Sequence, residues 1–248
     1  SEFYLPLGIV TDSDLSKCEE LPAAERMIIQ EYFAGNLLNT GNDLLFTKYE
    51  HTGEKNVRYT YRDGMYYFTP KSDVRTATLS YKLKIDDKQS LYFDCFDLVT
   101  RNIKEHINGS FAIYVNGIKT DLSFPGQDSN GLLYLGTFEN ESVSIDVDVN
   151  SNTYCSSFGV IGLSHDKLEN AISRTKTADL TVDGGSISGT VEDAGDGQWL
   201  FLSVPYDSGF SAKINGHKAE IYRCMTGFMA LKLDEGHNDI AVSFLPKG

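Results

Sequence analysis

From Asp43 onward, apolar and polar positions alternate with a period of two, the pattern of strands with one face on a core. VRYTYRD and MYYFTP flank Asp63-Gly64, a dipeptide that tolerates positive φ in a tight hairpin turn. TATLSYKLKI, SLYFDCFD, FAIYV-NG-IKTDLSF, LLYLGTF, SVSIDVDV and TYCSSFGVIGL follow, ending near Leu163. The last fifty residues, from Trp199 to Gly248, repeat the style. An apolar strand from Leu200 to Val204 is closed by Pro205, and Phe210, Ala212 and Ile214 then alternate with Ser211, Lys213 and Asn215. A two-residue turn at Asn215-Gly216 sets Ile214 opposite His217, Ala212 opposite Ala219 and Phe210 opposite Ile221. Met229, Leu231 and Leu233 lead through Asp234-Glu235-Gly236 to Ile240, Val242 and Phe244, which reads as a further hairpin.

The helical period occurs twice. Residues 21–35, LPAAERMIIQEYFAG, place Pro22 in a first turn, align Ala24, Met27, Ile28 and Tyr32 on one face, and offer Gly35 as a stop. SHDKLENAIS has Ser164 as a cap and Leu168, Ala171 and Ile172 as a buried stripe. The expected fold is mainly β, with two antiparallel β-sandwich or jelly-roll-like domains and a few short helices. Residues 1–163 form the larger sandwich with a helix near 22–34, residues 164–177 a helical linker, and residues 178–248 a smaller antiparallel domain. The two parts also resemble each other. FAIYVNGIKTDLSF (111–124) aligns with FSAKINGHKAEIYR (210–223), SLYFDCFD with WLFLSVPYD, and LLYLGTFENESVSIDVDV with FMALKLDEGHNDIAVSF. One sandwich topology used twice accounts for this order.

Composition narrows the chemistry. Over 248 residues the formal charge is −13, which argues against nucleic acid and anionic lipid as partners. No apolar run approaches the length of a membrane span, so the fragment itself is expected to be soluble. Cys18, Cys95, Cys155 and Cys224 are widely spaced and read as free thiols. The five histidines share no ligand spacing, and DVDVNSN lacks the glycine and final glutamate of a calcium loop, so no metal is expected. Phosphate-loop, dinucleotide and nucleophile-elbow motifs are missing, so no cofactor and no catalytic residue are assigned. Tyrosine and phenylalanine crowd the strands. Packing on pleated surfaces is the favoured reading, with a sugar-stacking platform as the sharper alternative. Asp207, in the turn Tyr206-Asp207-Ser208-Gly209, is a candidate acid whose ordinary role would be to hydrogen-bond its own backbone.

Several segments resemble a known family in order and spacing: LPLGIV at 5–10, the Pro-led helix containing Gln30, LLF at 44–46, and SHDKLENAI. Most specific are WLFLSVPYDSGFSAKINGHKAEIY and GFMALKL-x-x-GHNDIAVSFLP, which resemble the closing pattern of the C-terminal portion of bacterial YfhO-type membrane proteins. Phe210 stands where that family usually has tryptophan. The resemblance implies a polytopic membrane glycosyltransferase of the C superfamily that glycosylates cell-wall polymers of the teichoic-acid type. This chain would be a non-catalytic portion on the extracytoplasmic face of the bacterial membrane. It would position substrate or stabilise the membrane body, with its own transmembrane region, a cell-wall glycan or a lipid-linked sugar as partners. Trp199, Tyr206, Asp207 and Phe210 match the pattern and are the candidate glycan contacts. A free-standing carbohydrate-binding module, an envelope scaffold and a hydrolase with paired carboxylates are the alternatives.

Overall fold

The computed structural model describes residues 6–18, 20, 25–41, 43–71, 76–96, 111–120, 124, 131–149 and 152–245. Pro22, Ala24 and, within DVDVNSN, Asn150 and Ser151 lie outside the described residues. The chain opens with β1 (Gly8–Thr11), a 3-10 turn (Leu15–Lys17) and helix α1 (Arg26–Leu37). Next come β2 (Phe46–Tyr49), β3 (Gly53–Lys55), β4 (Val57–Arg62), β5 (Met65–Pro70), β6 (Thr78–Ile85) and β7 (Gln89–Phe96). These are followed by β8 (Phe111–Val115), β9 (Ile118–Lys119), β10 (Leu132–Phe138), β11 (Glu141–Val149), β12 (Thr153–Cys155) and β13 (Ser157–Ser164). After α2 (His165–Arg174) come β14 (Lys176–Thr177), β15 (Asp179–Asp183), β16 (Ser186–Ala194), β17 (Trp199–Pro205) and β18 (Phe210–Ile214). The series closes with β19 (His217–Ala219), β20 (Tyr222–Cys224), β21 (Phe228–Lys232) and β22 (Gly236–Phe244). The protein is mainly β, antiparallel and sandwich-like, as its pattern predicts.

The chain divides into two compact units. The larger comprises Ala24–Ile28 and Leu44–Leu168, and the smaller Ser1–Ala23, Ile29–Asp43 and Glu169–Gly248. In the larger, sheets of order β10-β7-β13-β2, β3-β6-β11-β8-β9 and β12-β5-β4 turn their inner faces to one core. Leu79, Tyr81, Val143, Ile145, Phe93, Phe158, Phe68 and Phe111 are among its members. The alternation read from the sequence is the alternation in and out of this core.

In the smaller unit, sheets of order β14-β1-β17-β21-β20 and β15-β16-β22-β18-β19 pack on each other through Val10, Leu200, Leu202, Met229, Leu231, Ile187, Ile214, Ile240 and Val242. The opposite face of the first sheet carries Ile9, Trp199, Phe201 and Ala230 under Leu15, Cys18 and Leu37. Both faces of β17 are therefore covered, which is why WLFL is apolar without alternation. The order of pairing matches that of the larger unit. β7 lies between β10 and β13 as β17 lies between β21 and β1. β11 lies between β6 and β8 as β22 lies between β16 and β18. Even the turn bonds recur. Asn116 Oδ1 accepts from the Ser144 N–H at 2.9 Å, and Asn215 Oδ1 accepts from the Asp239 N–H at 2.8 Å.

Three local expectations change. Residues 234–236 do not close a hairpin: β21 pairs with β17, whereas β22 pairs with β16 and β18 in the other sheet. The segment is a corner, held by buried Asn238, which accepts from the Asp234 N–H at 2.9 Å and donates to the carbonyls of Asp234 and Gly236. Helix α1 runs through Gly35 to Leu37, and the residues it buries are Ala34 and Leu37, while Ile28 is 48% exposed. Burial of Leu37 outweighs the roughly 1 kcal/mol that an interior glycine costs a helix. The third change concerns β1. The sequence reading places β1 within the larger domain of residues 1–163, whereas β1 pairs with β17 and β14, in the place that β13 fills in the larger unit.

Gly189, at φ +155°, supports the smaller unit, because a Cβ there would lie 1.9 Å from the Asp179 carbonyl oxygen. Gly189→Ala is expected to separate β15 from β16 and lower stability by about 1–3 kcal/mol in urea unfolding. Loss of amide-exchange protection should be confined to the β15–β16 pairing, and a protected β15 would contradict the steric account.

Candidate functional site

The four residues singled out from the sequence do not form one surface. Trp199 is 4% exposed and meets Tyr222 edge-on at 4.9 Å, inside the apolar cluster next to α1. Tyr206, Asp207 and Phe210 meet at the turn after β17, roughly 20 Å along the extended chain from Trp199. Tyr206 is exposed, and its N–H donates to the Gly227 carbonyl at 2.6 Å. Asp207 Oδ1 accepts from the Gly209 N–H at 2.7 Å, so its carboxylate shapes its own turn. Phe210 is half-buried and tilts against Phe244 at 4.8 Å. A Cβ at Gly209 would lie 2.6 Å from the Leu245 carbonyl oxygen, which explains glycine there.

Strand parity turns part of the aromatic residues of the larger unit to the core, and two groups of aromatic residues stand together on outer faces. The first outer group is on β7 and β10. Tyr92 and Tyr134 stand directly opposite each other, with rings tilted by 53° at 5.5 Å, and Tyr134 is 55% exposed. A bulge between Tyr134 and Gly136, with Gly136 at φ +137°, inserts one residue into β10. Without it Thr137 would face away from Tyr134; with it the two share a face, opposite Tyr92 and Ser90. A ladder of side chains results. The Tyr134 hydroxyl and Thr137 Oγ1 are 2.7 Å apart, Thr137 Oγ1 and Ser90 Oγ 2.9 Å, and Ser90 Oγ and His165 Nε2 2.8 Å. Because the Tyr134 hydroxyl is engaged internally, its ring is held in place and its face is left to solvent.

The second outer group lies on β4, β5 and β12. Thr60, Tyr67 and Tyr154 are directly opposed across the three strands, and the two tyrosine rings stack at 6.1 Å and 29°. The Arg62 guanidinium lies over the Tyr67 ring at 4.7 Å, and Arg58 stands opposite Thr69 on the same face. Tyr59, Tyr66 and Phe68, from the alternate positions, turn to the core.

A charged network sits where the first turn of α1 meets β2, β5 and β7. Asp94 is 2% exposed, lies 3.3 Å from Arg26 Nε through Oδ1, and accepts from the Ser157 hydroxyl. Burial pushes its carboxyl above the usual range, while the Ser157 hydrogen bond and Arg26 oppose the shift. Glu25 pairs with Lys48 and accepts from the Tyr66 hydroxyl at 2.5 Å, and Lys48 donates to the same hydroxyl at 2.7 Å. Burial and the Glu25 contact hold the Tyr66 hydroxyl far above the ordinary phenol range. Two acids and two bases thus close on each other. Parity alone places Ser90, Tyr92 and Asp94 on one face of SLYFDCFD, but nothing local connects Asp94 to Arg26. The four cysteines are buried and form no disulfide with one another, and among the described residues no group of three or more His, Cys, Asp or Glu is placed to hold a metal.

Residues 1–248 match the family described as bacterial membrane protein YfhO. The chain belongs to the YfhO family. No helix among the described residues of this YfhO chain is long and apolar enough to cross a membrane. No curated protein matches the chain. Among solved structures, a Podospora anserina GH26-CBM35 β-(1,4)-mannanase is similar at 16% identity and a TM-score of 0.30, over 48% of this chain and 27% of that one. An Eisenbergiella tayi GH2 β-galacturonidase shows 11% identity and a TM-score of 0.27, over 82% of this chain and 37% of that one. A Paenibacillus sp. cycloisomaltooligosaccharide glucanotransferase shows 8% identity and a TM-score of 0.25, over 79% and 45%. The YfhO chain therefore spans less than half the length of each, and likeness at this level carries no argument about function.

Proposed function

We propose that this chain is a non-catalytic, extracytoplasmic part of a membrane glycosyltransferase, and that its larger unit holds a glycan for the membrane-embedded active site. The observation that carries the reading is the Tyr92–Tyr134 pair. An exposed aromatic ring fixed through its own hydroxyl is a preformed flat apolar surface, with the Thr137 hydroxyl beside it for a polar contact. A pyranose ring has the matching chemistry: an apolar C–H face with hydroxyls at its edge. Membership of a membrane protein family supports placement beside a bilayer. The non-catalytic reading is supported by the carboxylates of the charged network. Glycoside hydrolysis uses two carboxylates flanking an open site, whereas Asp94 and Glu25 are each held by a base and a hydroxyl.

Calorimetry with cell-wall glycans and free oligosaccharides tests this. Saturable binding is expected, with Tyr134→Ala weakening it about tenfold or more and Tyr134→Phe weakening it less, because the ring stays but loses the hydroxyl that fixes it; loss of one stacking contact of about 1.4 kcal/mol is a factor of ten. No heat with any glycan at millimolar concentration would overturn the proposal. So would release of sugar from any of them by the isolated chain, which would restore the hydrolase alternative.

A further inference from the structure

We infer that His165 is a positioning residue for Tyr134. Through Ser90 and Thr137 it sets which way the Tyr134 hydroxyl points its proton, and so makes binding at that ring depend on pH. The inference rests on the glycan-handling reading above and adds a control to the same site. His165 is the first residue of α2, is 8% exposed, and its backbone N–H donates to the Lys88 carbonyl at 3.0 Å. Three contacts lead outward from its ring. Nε2 lies 2.8 Å from Ser90 Oγ, Ser90 Oγ 2.9 Å from Thr137 Oγ1, and Thr137 Oγ1 2.7 Å from the Tyr134 hydroxyl. Ser90 is 7% exposed and Tyr134 55%, so the line runs from the interior to solvent. Histidine is the one side chain in it whose type changes charge near neutral pH. The charged residues flanking His165 on the surrounding elements are Lys88 before β7, Glu139 after β10, and Asp166 and Lys167 on α2.

Each hydroxyl in the line has one proton to give. With Nε2 unprotonated, Ser90 donates to it, Thr137 donates to Ser90, and Tyr134 donates to Thr137. This sense joins the best donor, a phenol, to the best acceptor, an imidazole nitrogen, and each bond polarises the next. The Tyr134 oxygen then meets a ligand only as an acceptor. With His165 protonated, Nε2 must donate to Ser90, and the line turns round. Ser90 donates to Thr137, Thr137 donates to Tyr134, and the phenol is released to donate outward. A phenol donates better than it accepts, so sugar oxygens are held more tightly in this second state. Ser90 has one other outlet. Burial pushes the Tyr92 phenol above its ordinary value, and a hydrogen bond from Ser90 opposes the shift. The two routes give different experimental signatures, because one moves Tyr134 and the other Tyr92.

The test is a ¹H–¹³C NMR titration of the whole chain across the range from about pH 5 to 8. Ring signals of His165 and Tyr134 are expected to move together with one midpoint. Thr137→Val keeps the side-chain shape and removes the link. It should leave the His165 midpoint in place and silence Tyr134. His165→Gln can still hydrogen-bond Ser90 but does not titrate, and it should silence Tyr134 as well. Calorimetry with the glycans and oligosaccharides named above gives the second readout. In the parent, affinity should rise about threefold or more as pH falls through that midpoint. It should stay level in Thr137→Val and in Tyr134→Phe. The inference is overturned by a Tyr134 ring that ignores His165, or by a response that survives Thr137→Val. It is also overturned if Tyr92 follows His165 in place of Tyr134. Glycan binding that is flat across the midpoint sinks this inference and leaves the function proposed above standing; no binding at all sinks both.

Discussion

Phe93→Ala is expected to destabilise the larger unit by about 3–5 kcal/mol, a large share of the 5–15 kcal/mol that ordinarily separates a folded domain from its unfolded state. Phe93 is 0% exposed and lies among three rings in edge-to-face geometry: Phe111 at 5.9 Å, Phe124 at 5.9 Å and Phe158 at 5.1 Å. Each such pair is worth about 0.5–1.5 kcal/mol beyond the area it buries, and truncation also leaves a cavity that strands from separate sheets cannot collapse to fill. Urea unfolding followed by circular dichroism measures the loss. Phe210→Ala, at a half-buried ring with one aromatic neighbour, serves as the comparison and should cost less than half as much. A loss at Phe93 no greater than that at Phe210 would mean that the ring cluster is not the centre of the core.

Arg26→Met should be comparably damaging near neutral pH, by about 3–5 kcal/mol, because it leaves Asp94 as a buried charge without its cation. The pH dependence separates this from simple loss of packing. In the native protein the Asp94 pKa already stands above its ordinary value, with burial the largest cause. Between the unfolded and folded pKa the folded state therefore binds more protons than the unfolded one. Stability contributed by this group is fully present below the unfolded pKa and falls as pH rises through that window. Removing Arg26 raises the folded pKa further and extends the window upward. The deficit of Arg26→Met relative to the parent should thus be largest near pH 7 and shrink toward about pH 4, where Asp94 can take up a proton. Urea unfolding at both pH values provides the check, and a deficit that does not change with pH would refute the electrostatic account.

Much of the fold was legible because antiparallel strands record their environment locally. Alternation in TLSYKLKI and ESVSIDVDV maps directly onto buried and exposed positions. Asn-Gly and Asp-Gly turned the chain where expected, since Asn116, Asn215 and Asp63 adopt positive φ ahead of glycines that do the same. The duplicated order of strands was legible for the same reason. The candidate surface was legible only in part. Tyrosine-rich strands announced that aromatic residues mattered, but not which ones faced outward. Asp207 carried a turn signal and proved to serve that turn, and Trp199, the lone indole, went to the core because β17 is covered on both faces.

Sequence by itself determined what each short segment does with its own neighbours: strand or helix, inward or outward, turning or not. Those choices depend on side-chain periodicity and on backbone preferences acting over a few residues. Tertiary structure alone decided which strand pairs with which. Asp234–Gly236 looks the same whether it closes a hairpin or carries the chain from one sheet to another, because the partner strands lie far away in the sequence. The same holds for β1, which completes the smaller unit from the opposite end of the chain, and for Arg26, which finds Asp94 across 68 residues. The single extra residue at Gly136, which brings Tyr134 and Thr137 onto one face, is likewise defined only against the register of β7. Hydrogen-bonded register and long-range charge pairing are properties of two segments at once, and a pattern read along one segment does not contain them.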